Sequence, residues 1–339
     1  MRLVFCGTPR FAVPVLEAVV AAGHEVCLVV TQPDRAAGRG MQVQVGAVHE
    51  AARGLGIEVV QPEKIKKNDE FRARLEGIGP DAILVVAYGR IIPDWMLGLP
   101  RFGCVNLHGS LLPKYRGAAP IQWAVANGEW VTGVTTMLLE AGLDTGPMLL
   151  AQVVAIAPEE TAEDLFESLA DVGSKLMVKT LALLECGMVT PVEQDHAVAT
   201  LAPILTRDDG RMDFSRTAEE LVNRWRGFQP WPGAWTTLRG KKLIVHRLVK
   251  ALGAGSEGAV EVEGGRMFVG CAGGRIELVE VQMEGKKRMA AGEFLRGFQV
   301  TTGERVGECS REEGRGKREE KTTRWLACWR RGAGFRRSL

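Results

Sequence analysis

Short apolar runs separated by longer mixed stretches set the pattern of the first half of the chain. Residues 3–5, 25–30, 57–60 and 82–87 have strand length and many β-branched side chains, whereas 11–22 and 63–75 have helix length and composition. Strands alternating with helices predict parallel pairing through right-handed crossovers, which is an α/β, Rossmann-like doubly wound sheet. Such sheets take ligands outside the carboxyl ends of their strands. Farther on, 118–127 suits a helix, 148–156 a strand and 159–184 a long amphipathic helix, its buried face formed by Leu165, Leu169, Val172, Leu176, Val178 and Leu183.

The pattern then changes. Residues 187–207 mix Pro, Thr, Gln and Ala without a period, which is linker composition. A short helix is signalled near 218–228 by Ser215 and Thr217 ahead of Glu219 and Glu220, followed by Pro-Trp-Pro-Gly at 230–233. Brief strands follow at 234–238, 242–248, 266–271 and 275–281, and short strands broken by glycine predict a small β-barrel. The expected organisation is a sheet domain at 1–187, a linker at 188–206, a barrel domain at 207–308 and a basic, disordered tail at 309–339.

Composition narrows the class. A chain of 339 residues can bury two cores, and 46% hydrophobic with 25% charged residues is ordinary for a globular protein. The start of the chain does not read as a leader peptide, and no run reaches the roughly 18 apolar residues of a membrane span, so a cytoplasmic location is expected. Seven cysteines, odd in number and never in a C-x-x-C pair, indicate neither a disulfide framework nor a zinc site. Five scattered histidines contain no ligand pair, and no metal is expected. The net charge of +2 conceals an asymmetry: residues 1–200 hold 16 basic and 23 acidic side chains, 201–308 hold 17 and 14, and 309–339 hold 10 and 4. A polyanion would therefore favour the C-terminal part.

The chemistry concentrates in two places. Asn106 and His108 lie two residues apart at the end of an apolar run, so a strand points both to one face, and Gly109, Pro113, Gly117 and Pro120 mark a shaped loop behind them. Asp144 sits on a turn after the apolar run 134–139. An amide, an imidazole and a carboxylate can run acyl transfer without a covalent nucleophile. On spacing alone, Asn-x-His at a strand end is more often a satisfied polar pair at a sheet rim than a catalytic one. The turn at Gly7-Thr8-Pro9 lacks the second and third glycines of G-x-G-x-x-G, which disfavours a nicotinamide cofactor.

Longer motifs separate these readings. N-L-H-G-S-L-L-P-K-Y-R-G at 106–117, L-D-T-G at 143–146, G-T-P-R-F-A at 7–12, T-Q-P-D-R-A-A-G-R-G at 31–40, A-Y-G-R-I-I-P at 87–93 and D-G-R-M-D-F at 209–214 together resemble the 10-formyltetrahydrofolate-dependent formyltransferase family. The closest likeness is to its members that act on methionyl-tRNA, and it extends to about residue 308. The resemblance implies an OB-like β-barrel after the sheet domain, 10-formyltetrahydrofolate as co-substrate and initiator methionyl-tRNA as partner. A monomer is expected. It also implies that Asn106, His108 and Asp144 are catalytic, and that folate lies along Ser110, Leu111, Leu112 and Pro113 and beside Tyr88, Gly89 and Ile91. In the family the 7–9 turn shapes the pocket for the methionyl end, and the 31–40 loop enters the acceptor stem, where the matching arginine is Arg39.

Here the chain departs from the family pattern: residues 41–46 read M-Q-V-Q-V-G in place of the usual lysines, leaving fewer phosphate contacts. On the barrel, Lys241, Lys242, Arg247, Lys286, Lys287 and Arg288 are the expected nucleic-acid residues, although lysines on strand edges are also common as solvated charges. The implied chemistry has Asn106 and protonated His108 donating to the developing oxyanion, with Asp144 holding His108 and taking a proton from the attacking amine. Formylation of an amino-sugar nucleotide or glycinamide ribonucleotide is the neighbouring alternative; the latter's enzymes resemble only the catalytic domain. A non-catalytic RNA-binding protein is the more distant one, and it has no physical need of the trio.

Overall fold

The computed structural model of the protein describes residues 1–37 and 42–307, with the backbone alone at 35–37 and 42–44; Arg39 and the expected tail at 309–339 lie outside the described residues. The chain divides into two compact units, Met1–Gly210 with Asn223–Pro232, and Arg211–Val222 with Gly233 onward.

The first unit runs β1 (Arg2–Gly7), α1 (Val13–Ala21), β2 (Glu25–Val30), β3 (Arg35–Ala37), β4 (Gln42–Gln44), α2 (Ala47–Gly54), β5 (Val59–Val60), α3 (Asp69–Ile78) and β6 (Ala82–Val86). It continues with α4 (Asp94–Leu97), β7 (Cys104–His108), α5 (Pro120–Ala126), β8 (Val131–Leu138), β9 (Met148–Ala155) and α6 (Ala162–Glu185). Seven strands form one sheet in the order β5-β2-β1-β6-β7-β8-β9. Pairing is parallel from β5 to β7 and antiparallel at β7-β8 and β8-β9. The predicted α/β sheet is therefore present with an antiparallel extension, and β7 lies at the change of direction.

Two apolar cores cover the faces of this sheet. Leu3, Phe5, Leu84, Val86, Val105 and Leu107 pack with α1 and α6, while Val4, Cys6, Ile83, Val85 and Cys104 pack with α3 and α4. The expected helix at 63–75 begins later, because the Asn68 side chain accepts a hydrogen bond from Phe71 N–H at 3.0 Å and caps α3 there. A reciprocal pair of bonds between Thr161 and Asp164 starts α6.

The buried face of α6 is rotated from the expected one. Leu165, Leu169 and Leu176 are buried, but Val172, Val178 and Leu183 are only half-buried, and Gly173, Met177, Thr180 and Leu181 take their places. The reason is close approach to the sheet. A Cβ at Gly173 would sit 2.6 Å from Leu107 Cδ2, and Thr180 Oγ1 lies 2.8 Å from Thr136 Oγ1 on β8. Residues 188–206, expected as a linker, are knitted into the first unit. Val192 bridges Met148, Arg116 N–H donates to Thr200 O at 2.8 Å, and Ala202 N–H donates to Arg116 O at 2.7 Å.

Along the chain, α7 (Ala218–Gly227) is followed in the second unit by β10 (Ala234–Leu238), β11 (Lys241–Ala251), β12 (Val260–Glu263), β13 (Arg266–Cys271), β14 (Gly274–Met283), β15 (Met289–Ala290) and α8 (Ala291–Phe298). The sheet is antiparallel in the order β10-β11-β14-β13-β12, with β15 added to β14. Residues 303–307 then join its two edges. Val306 bridges Leu238 of β10, Arg305 bridges Ala259 ahead of β12, and Gly307 N–H donates to Thr237 O at 2.9 Å. The strand ladder itself runs open from β10 to β12, so where the glycine-broken strands predict a small barrel the structure has an antiparallel sheet whose edges are linked only by these bridges. Met212 and Phe214 of the 209–214 motif are buried against it, with Met212 N–H donating to Trp235 O at 2.8 Å. Among the described residues no helix is long and apolar enough to cross a membrane.

Gly173→Val is expected to lower stability by about 1–3 kcal/mol, since added bulk must displace Leu107 or the helix. A urea midpoint measures it, and an unchanged midpoint would mean that α6 does not pack this tightly on β7.

Candidate active site

Strand alternation sends Val105 and Leu107 into the core beneath α1 and α6, and therefore Asn106 and His108 to the opposite face. Both polar side chains are almost enclosed, at 8% and 5% exposure. Burial of this kind requires hydrogen-bond partners. His108 finds one in the loop that follows: its Nε2 lies 2.9 Å from the carbonyl of Tyr115. A carbonyl only accepts, so Nε2 carries hydrogen and Nδ1 is the nitrogen turned elsewhere. Nδ1 lies 3.7 Å from Asp144 Oδ2, close enough for charge attraction and too far for a direct hydrogen bond. Of the two imidazole nitrogens, only Nδ1 is left without a protein hydrogen bond among the described residues. The Asn106 amide has no hydrogen bond to another described side chain or backbone group.

The loop at 109–119 is braced on several sides. Ser110 Oγ donates to Lys114 O at 2.6 Å, Thr135 Oγ1 donates to Ser110 O at 2.7 Å, and Leu112 N–H donates back to Thr135 Oγ1 at 3.2 Å. Tyr115 adopts φ +61°, and its hydroxyl donates to Glu129 at 2.8 Å. Burial, reinforced by the neighbouring Glu129 carboxylate, pushes the Tyr115 phenol up to about 12, so it remains a donor. Gly117, at φ +126°, has no room for a side chain, since a Cβ would meet Ala202 O at 2.5 Å. Its N–H donates to Asp144 Oδ2 at 2.8 Å.

Asp144 also has a left-handed backbone, φ +48°. The loop carrying it is held by a residue that sequence reasoning missed. Gln194 Nε2 donates to the carbonyls of Asp144 at 2.9 Å and Gly146 at 2.7 Å. Its Oε1 accepts from Arg116 Nε at 3.0 Å and Nη2 at 2.7 Å. Arg116 was visible as part of K-Y-R-G, whereas Gln194 stands in V-E-Q-D-H, which has no local pattern to single it out.

The residues expected beside folate divide by exposure. Ile91 is 83% exposed and Gly89 is exposed, whereas Tyr88 is 1% exposed, its ring packed in the core with Val4 and Cys6. Its carbonyl already accepts from Thr8 Oγ1 at 3.2 Å and Gln32 Nε2 at 2.8 Å. Tyr88 therefore anchors the 87–92 loop, and Ala87, Gly89 and Ile91 face outward. In the second stretch Ser110 is fully buried with its hydroxyl committed, Leu112 is buried, and Leu111 and Pro113 are half-buried.

The polar loop from residue 31 is a hairpin with a latched base. Asp34 accepts from Gly46 N–H at 2.9 Å and Gln61 Nε2 at 3.0 Å, and its other oxygen lies 3.0 Å from His49 Nδ1. Burial alone would raise the Asp34 carboxyl, but these three partners outweigh it and hold the group below the usual range.

On the second unit the expected basic residues fall into two groups. Lys241 and Lys242 begin β11, where Lys242 O accepts from Glu284 N–H at 2.9 Å, so they lie beside the turn bearing Lys286 and Lys287. Lys242 Nζ also sits 4.4 Å from the Trp235 ring centroid. Arg288, by contrast, is ion-paired with Glu280, the residue opposite Arg247 in the β11-β14 ladder. Elsewhere on the barrel Arg275 binds Glu261 at 2.8 Å and Glu263 at 2.6 Å, and Arg266 Nε binds Glu277 at 2.7 Å.

Comparison with known proteins places this arrangement. The formyl transferase family model matches residues 1–181, and the model of the formyl transferase C-terminal domain matches 204–299. The methionyl-tRNA formyltransferase of Acidobacterium capsulatum is 63% identical over 310 residues, covering 91% of this chain and 100% of the relative; that of Koribacter versatilis is 56% identical over 311 residues, with the same coverage. Among solved structures, the N-formyltransferase of Helicobacter canadensis in complex with folinic acid and dTDP-3-aminofucose has a TM-score of 0.58 at 19% identity, over 83% of this chain and 98% of that one. HypX from Aquifex aeolicus in complex with tetrahydrofolic acid has a TM-score of 0.60 at 15% identity over 90% of this chain, which spans 48% of HypX. The structural likenesses concern the fold alone, but the sequence identity over nearly the whole chain decides the family: this chain belongs to the methionyl-tRNA formyltransferases.

Proposed function

We propose that the protein transfers a formyl group from 10-formyltetrahydrofolate to the α-amino group of initiator methionyl-tRNA, acting as a monomer in the cytoplasm. The observation that carries the reading is the meeting at the end of β7 of three groups: the unpartnered Asn106 amide, His108 with one nitrogen fixed, and the Asp144 carboxylate. The nearby residues suit a folate. Ala87, Gly89 and Ile91 are exposed, and the first two have left-handed backbones that fix the course of the loop. Residues 87–91 would hold the co-substrate together with Leu111 and Pro113.

Bound there, the co-substrate supplies a formyl carbonyl on a nitrogen that can leave. Asn106 offers its amide N–H to the negative charge that gathers on the formyl oxygen during attack, the largest contribution in sites of this kind. His108 acts through Nδ1, since Nε2–H is committed to Tyr115: a proton on Nδ1 bonds to the formyl oxygen during attack and passes to the folate nitrogen as its bond to the formyl carbon breaks. Asp144 keeps one oxygen on Gly117 N–H, faces Nδ1 with the same oxygen, and takes up the proton that the amine releases. The low exposure of Asn106 and His108 limits water at the reacting carbon and strengthens each of these interactions.

For the tRNA, Lys241, Lys242, Lys286 and Lys287 form the proposed phosphate-binding end of the barrel, with Arg247 beside it and Arg288 ion-paired with Glu280. Arg266 and Arg275 are committed to glutamates and are not part of that surface.

Asn106→Ala, His108→Ala and Asp144→Ala are each expected to lower kcat by at least about a hundredfold in a protein that still folds, as a cooperative thermal transition checks. A transfer assay that offers methionyl-tRNA and an amino-sugar nucleotide side by side tests the acceptor, and near-normal turnover of any variant removes that residue from the mechanism. Replacing all four lysines by Gln should flatten the slope of log affinity against log salt by about 0.7–0.9 per lost phosphate contact, while Arg266→Gln should leave it unchanged. Equal slopes in both variants would mean that the lysine end does not meet the tRNA.

A further inference from the structure

We infer that Gln194 is a positioning residue for the transfer, fixing the loop that presents Asp144 to His108 while Arg116 fixes Gln194 in turn. This rests on the proposed role of Asp144. A non-glycine residue at φ +48° is held in a conformation that costs free energy and persists only where its surroundings over-determine it. Two sets of bonds do so here. Gly117 N–H holds the Asp144 carboxylate, and Gln194 holds the backbone by donating both amide hydrogens, one to Asp144 O and one to Gly146 O.

The orientation of the Gln194 amide is dictated rather than assumed. Arg116 has only donors, so the side of the amide facing it must be the oxygen, and the NH2 must face the two carbonyls. Arg116 Nη2 also lies 3.1 Å from His196 Nδ1, which must accept. Both Gln194 and Arg116 are buried, at 4% and 6% exposure, and the backbone of Arg116 is bonded to Thr200 and Ala202. All of the Gln194 side-chain bonds end on the protein. Its contribution is therefore to where the Asp144 carboxylate stands, and not to substrate contact.

The geometry sets the kinetic signature. Misplacement of a catalytic group by about 1 Å can cost on the order of a hundredfold, so Gln194→Ala should lower kcat by about ten- to a hundredfold, with KM for folate and methionyl-tRNA within about twofold. Gln194→Glu keeps the oxygen for Arg116 but opposes the two carbonyls with a second oxygen, and should lose at least as much. Gln194→Met fills the same space without hydrogen bonds and serves where the Ala variant does not fold.

The deciding experiment is a double-variant cycle with Asp144→Ala, read by single-turnover transfer. Gln194→Ala should cost nothing further once the Asp144 carboxylate is gone. Losses that multiply across the cycle, or a near-normal Gln194→Met and Gln194→Glu beside an inactive Asp144→Ala, would overturn the inference alone. An Asp144→Ala variant of near-normal rate would instead overturn the role of Asp144, and this inference with it.

Discussion

The site depends on one requirement: polar groups buried at the end of β7 must be satisfied by something other than water. An apolar strand end would have been simpler to fold, since an unpaired buried donor or acceptor costs about 1–3 kcal/mol. The chain meets the requirement by folding residues 109–117 back over the strand so that the Tyr115 carbonyl reaches His108. That single bond determines which imidazole nitrogen is spoken for. The positive φ of Tyr115, the crowding at Gly117 and the cross-links to Thr135 and Thr200 are all consequences of bringing the loop back so sharply. Among the described residues Asn106 has no side-chain hydrogen bond on this face, so the loop satisfies the imidazole and not the amide.

Local features were legible in the sequence, and those made by distant pairing were not. Asn106 and His108 could be placed on one face because a strand alternates with a period of two, and the sheet domain followed from strands alternating with helices. Gln194 could not be found this way, because its meaning lies in carbonyls 48 and 50 positions away. The same limit misled the reading of 188–206: linker composition reflects the absence of regular structure, whereas backbone bonds to Arg116 and Met148 tie the segment down. In α6 the apolar residues alone suggested the wrong centre for the buried face, since Gly173, which faces Leu107 of β7 with no room for a side chain, carries no hydrophobic signal. Burial of the Tyr88 ring in the core was likewise not visible in the A-Y-G-R-I-I-P motif, because it depends on Val4 and Cys6 of a distant strand.

Charge on the barrel shows a similar gap between composition and availability. Counting basic residues treats Arg275 and Lys286 alike, yet the first is enclosed by Glu261 and Glu263 and the second stands on an exposed turn. The Arg275 guanidinium holds the Glu263 carboxyl below its usual range, and the Arg266 guanidinium does the same for Glu277, so these pairs stay ionised together. Arg266 and Arg275 also flank Phe268, at 5.0 and 4.3 Å from its ring centroid, which makes that face a self-contained ladder.

The joining of the barrel's edges by residues 303–307 has a consequence for how the second unit is made. Without that segment, β12 and the end of β10 beyond the Met212–Trp235 bond present unpaired backbone groups, the kind of edge that recruits strands from other chains. The contacts that cover them pair residues near 238 and 259 with residues near 305, so they are among the last that a chain emerging from its N-terminus can form. During synthesis these edges are therefore open for as long as residues 303–307 are missing.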